Sequence, residues 1–88
     1  MKAADMAKRF NEATDKDKVV RDILFDEIKS TNTVALTRGV KTNAGLLAVL
    51  KETDERWKAF CRLCPVVKPT AFKVGLHIAV PSSKELWP

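Results

Sequence analysis

Between Asn43 and Cys64 the apolar residues can share one side only if the chain is helical. Leu46, Leu50, Thr53, Trp57, Phe60 and Cys64 recur at spacings of four and three, which is one face of a 3.6-residue period. Leu47, Val49 and Cys61 widen that stripe to the breadth of a core-facing helix. Lys51, Glu55, Lys58 and Arg62 repeat at the same spacing on the opposite side, which places them in water. Glu52–Arg56 and Asp54–Lys58 stand as acid-before-base pairs four residues apart. Thr42 or Asn43 can cap the start. Pro65 ends the helix, because the residue before a proline avoids the helical region.

The flanking segments supply what this helix packs against. Residues 2–12 place Ala3, Met6, Ala7 and Phe10 on one face. Thr14-Asp15-Lys16-Asp17 resembles a capping box, and Val19, Val20, Ile23, Leu24 and Ile28 follow on an inward face. Glu27 falls within that face and Phe25 off it. The β-branched polar run Ser30–Thr33 weakens helix propensity. After it, Val34–Lys41 reads as a separate short helix ended by Gly39, or as a strand with no evident partner. Residues 72–80 alternate in polarity as a strand would. Thr70, Lys73 and His77, however, form a polar stripe at helical spacing, and Pro69 and Pro81 bracket the segment. The helical reading is preferred. Ser82-Ser83-Lys84-Glu85 is a second capping-box pattern before Leu86 and Trp87. The expected fold is mainly α: one domain over residues 1–88, a bundle of four or five short helices around the 43–64 helix. The alternative is α+β, with a strand near 72–80.

Composition narrows the function classes. Eighty-eight residues, 45% apolar and 31% charged, suffice for one modest core. No apolar run reaches the roughly 20 residues of a membrane span, and no signal-peptide core follows Met1, so a soluble, cytoplasmic protein is expected. The net charge of +5 is unevenly placed. Seven basic and seven acidic residues balance through Thr37, whereas nine basic and four acidic residues follow from Arg38 onward. No acid lies between Arg56 and Lys84. Such asymmetry suits an anionic partner.

Three motifs bear on chemistry. Ala35, Gly39 and Val40 resemble the turn of a helix-turn-helix, with a small residue four before a glycine and an aliphatic after it. Arg38 and Gly45 depart from that pattern, standing where apolar contacts are usual. Cys61-x-x-Cys64 falls at a helix end, where no dipole lowers a thiol pKa. His77 is the only further ligand type, short of the four donors of a structural zinc site. Both cysteines read as small core residues, with no metal and no cofactor. His77 has no nucleophile beside it in any motif, and no glycine-rich phosphate loop is present, so catalysis is not expected.

The basic residues Arg38, Lys41, Lys58, Arg62, Lys68 and Lys73 remain as functional material. The leading expectation is a non-catalytic protein contacting nucleic-acid phosphates through these six. No aromatics expected to be exposed interleave with them in a stacking pattern, and tyrosine is absent, which disfavours a single-strand stacking platform. The alternative is a small protein-interaction module, such as a phage or mobile-element regulator or inhibitor of a host protein, anchored by Phe25, Trp57 or Trp87. Self-association is the third option.

Overall fold

A computed structural model describes residues 2–88. Five helices follow in order: α1 Ala3–Glu12, α2 Lys16–Thr37, α3 Asn43–Leu63, α4 Ala71–Ala79 and α5 Ser83–Leu86. No strand occurs among the described residues, and residues 72–80 lie mostly within α4. There the buried pair Phe72 and Leu76 sits four apart, while Val74 and Ile78 turn outward. Helical spacing therefore overrides the alternation in polarity.

Local chemistry sets the boundaries. The cap of α2 is Asp15, not Thr14: its carboxylate accepts from the Lys18 N–H at 3.1 Å. Lys16, at the start of α2, donates its Nζ to the Phe10, Asn11 and Ala13 carbonyls, satisfying the acceptors left open at the end of α1. Residues 34–37 are no separate element, because α2 runs unbroken through Ser30–Thr33. Thr31, Thr33 and Thr37 each turn their hydroxyl back onto the carbonyl four residues earlier, so the polar run is absorbed within the helix. Gly39, at φ +66°, closes α2 with paired bonds from Val40 N–H to Ala35 O and from Gly39 N–H to Leu36 O. Thr42 then caps α3 by accepting from the Gly45 N–H at 3.1 Å.

The expected stripe on α3 is the centre of the core. Trp57 and Phe60 are fully buried, Leu50 and Thr53 nearly so, while Lys51, Glu55 and Arg62 are exposed. Met6 and Phe10 of α1 lie in the same cluster, with the Phe10 ring edge-on to Phe60 at 6.1 Å. α2 and α3 form an antiparallel hairpin, joined where the Thr31 and Thr53 hydroxyls meet at 3.0 Å. One turn further from the loop, Arg56 Nε donates to Glu27 Oε2 at 2.7 Å. Glu27 is 1% exposed, so its place on the apolar face depends on Arg56. The expected Glu52–Arg56 pair does not form: Glu52 instead meets Arg38 at 2.5 Å. α4 lies against α2 where Gly75 faces Leu24 so closely that an added Cβ would sit 2.6 Å from Leu24 Cδ2. The chain end folds back over α4, with Trp87 packed on Phe72 at 6.1 Å.

Candidate nucleic-acid interface

The six expected basic residues divide into two groups. Arg38 and Lys41 lie in the α2–α3 turn, and Arg38 is tied to Glu52. Lys58 and Arg62 project from the outer face of α3, about 22 Å along the axis from its start for Lys58. Lys68 sits exposed in the α3–α4 linker, and Lys73 on α4 is partly buried. Arg38 and Lys41 thus stand at the turn end of α3, and Lys58 and Arg62 toward its other end.

What the fold does bring together is a groove between α3 and α4, about 400 Å³ in volume. Its walls are Lys51, Asp54, Glu55 and Lys58 from α3, Pro69 and Thr70 from the linker, Lys73 from α4, and Trp87. It continues past Lys58 and Pro69 into a shallower depression reaching Arg62 and Val67. Lys51, Lys58 and Arg62 sit seven and four residues apart on one helical face, spanning about 16 Å. Lys73 reaches in from the other wall with its Nζ 5.6 Å from the centre of the Trp87 ring. Such an ammonium is held by the ring quadrupole.

The charges differ in availability. Lys58 Nζ stands 3.0 Å from Asp54 and 3.5 Å from Glu55. The hydrogen bond and charge of Asp54 hold the Lys58 ammonium above its ordinary pKa. Among the described residues no carboxylate pairs with Lys51, Arg62 or Lys73. Trp87 is anchored from behind, its carbonyl 2.8 Å from His77 Nε2. A carbonyl only accepts, so that nitrogen carries the proton. The lone histidine thus holds the chain end in place.

The chain matches no protein-family model, no curated protein and no solved structure.

The helix-turn-helix resemblance stops at the turn. In that motif the helices cross at roughly 90–120° and separate quickly. Here contacts persist at Thr31–Thr53 and Glu27–Arg56, well away from the turn, so α2 and α3 run side by side. Of the three proposed aromatic anchors, Trp57 offers no surface: it is fully buried, and its indole N–H donates to the Lys68 carbonyl at 3.1 Å. Phe25 is 51% exposed and Trp87 partly so. Cys61 and Cys64 are buried free thiols, both pushed above the ordinary thiol pKa chiefly by burial. No metal-binding cluster occurs among the described residues, and none of their helices is long and apolar enough to cross a membrane.

The sequence reading missed Lys51, Thr70 and the approach of Trp87 to Lys73. Lys51 carried a signal, since it repeats at helical spacing with Lys58 and Arg62. Trp87 carried none, because its place depends on the chain end folding back over α4.

Proposed function

We propose that this chain is a non-catalytic nucleic-acid-binding protein, and that the α3–α4 groove takes a single strand. The observation that carries the reading is the gathering of Lys51, Lys58 and Lys73 with the half-buried Trp87 around one groove. Lysines supply phosphate contacts that follow a backbone, and an indole supplies a surface on which any base stacks. Asp54 and Glu55 reduce the net positive charge of the groove, so binding is modest and without base preference.

Fluorescence anisotropy with a labelled single-stranded oligonucleotide tests this. Four contacts, from Lys51, Lys58, Arg62 and Lys73, give a slope of log affinity against log salt of about −3. Lys51→Ala and Lys73→Ala each flatten that slope by roughly 0.7. Trp87→Ala weakens binding by about 5- to 100-fold. Arg38→Ala with Lys41→Ala leaves binding unchanged. Undetectable wild-type binding at roughly 0.15 M salt, where contacts of this kind still hold, ends the reading.

A second reading, a protein-interaction module of the kind mobile elements use to regulate or inhibit host proteins, is favoured by a different face. Where α4 packs on α2 through Gly75 and Leu24, Phe25, Val74 and Ile78 remain more than half exposed. Phe25→Ser with Ile78→Ser abolishing capture of a nuclease-resistant partner, with oligonucleotide binding absent, would establish that reading instead.

A further inference from the structure

We propose that the cavity where α2, α3, α4 and α5 meet binds a small uncharged molecule with an aliphatic body and a hydroxyl head. This site shares no residue with the α3–α4 groove and does not depend on nucleic-acid binding.

The cavity has a volume of about 340 Å³, within the range of roughly 300–1,000 Å³ that encloses small ligands. Leu46, Leu50, Leu76, Val80 and Leu86 make a continuous aliphatic wall from three sides. The polar lining comes from Thr31 and Asn32 of α2, Asn43 at the start of α3, and Ser82, Ser83 and Glu85 at α5.

Ser83 decides the matter. It is 6% exposed, and among the described residues its Oγ is the buried side-chain polar atom with no hydrogen-bond partner. Thr31, on the same cavity wall, contrasts with it: its hydroxyl already serves the Glu27 carbonyl and Thr53. A buried hydroxyl left unbonded is costly, and a ligand head that bonds it recovers that loss.

The charge of the lining sets the class of head. No lysine, arginine or histidine lines the cavity, while Glu85 does. A carboxylate or phosphate head would be buried against aliphatic side chains with no counter-ion in the lining. Glu85 itself is exposed and solvated, so it gains little from an ammonium. A neutral hydroxyl can both donate to Glu85 and bond Ser83.

Methyl NMR of Leu46, Val80 and Leu86 during titration with 1-octanol, and separately with octanoate, tests the site. Octanol should shift these methyls saturably, and octanoate should not. Ser83→Ala should weaken octanol binding about 5- to 10-fold. Leu46→Phe, which fills the cavity, should abolish it in a protein that remains helical by circular dichroism. The proposal is overturned by absence of saturable octanol shifts, by octanoate binding equally well, or by Ser83→Ala leaving the affinity unchanged.

Discussion

Replacing Arg56 with methionine isolates the contact that pairs a buried charge across the α2–α3 hairpin. Arg56 donates through Nε at 2.7 Å and sits within ion-pair distance at its Nη2, both toward Glu27 Oε2. The Glu27 side chain is 2% exposed, whereas that of Arg56 is 29% exposed. Methionine keeps most of the packing volume but leaves Glu27 buried without a partner. Losing one member of such a pair costs about 3–5 kcal/mol. The whole stability of a chain of 88 residues is only about 4–13 kcal/mol. Arg56→Met should therefore lie near or below the folding threshold in urea titrations followed by circular dichroism. Removing both charges, as Glu27→Leu with Arg56→Met, should recover most of the loss, because the desolvation penalty disappears with the pair. A single mutant within about 1 kcal/mol of wild type would refute the reasoning. So would a double mutant no better than the single one, since the loss could not then come from an unpaired carboxylate.

Three further outcomes follow from the fold. Trp57→Ala should cost about 3–5 kcal/mol in the same titration, and an unchanged melting temperature would contradict the central place of α3. Gly39→Ala should cost about 1–2 kcal/mol, read as a lowered melting temperature, because alanine is strained at φ +66° even though nothing crowds the site. Cys61 and Cys64 should react slowly with thiol reagents at neutral pH, burial holding both thiols protonated. Their raised pKa values mean the folded state keeps protons that the unfolded chain loses. This makes stability fall as the pH climbs above about 9, the raised Lys58 adding to the fall only above about 10.5. Fast labelling, or stability that is flat between pH 8 and about 10.5, would argue against that burial.

The parts legible in the sequence are those decided within a few residues. Spacing alone placed Trp57 and Phe60 inward and Lys51 and Arg62 outward, and Thr42 and Gly39 marked the ends that the backbone uses. α4 was legible as a helix through Pro69, Pro81 and its polar stripe, despite alternation that mimics a strand. The Ser30–Thr33 run misled because propensity counts polar β-branched residues as weak formers. Threonines that bond back to the preceding turn, beside a buried partner in Thr53, persist in a long helix. Charge pairing was misjudged for a related reason: Glu52 and Arg56 suit each other along α3, but Arg38 and Glu27 compete for them across the hairpin. The groove was illegible because Lys51 and Trp87 meet only in three dimensions.

The central claim is that a single strand lies between α3 and α4 against Trp87. A two-dimensional proton–nitrogen NMR titration with a short oligonucleotide tests it without mutation, because the two tryptophans report separately. Trp57 donates its indole N–H to the Lys68 carbonyl inside the core, while Trp87 lines the groove. The account predicts that the Trp87 indole peak and the amides of residues 51–58 and 69–73 move together. The Trp57 indole and the amides of α1 should stay in place, and all shifts should fade as salt is raised. Shifts confined to the Arg38–Lys41 turn, or a spectrum that does not change at all, would contradict it.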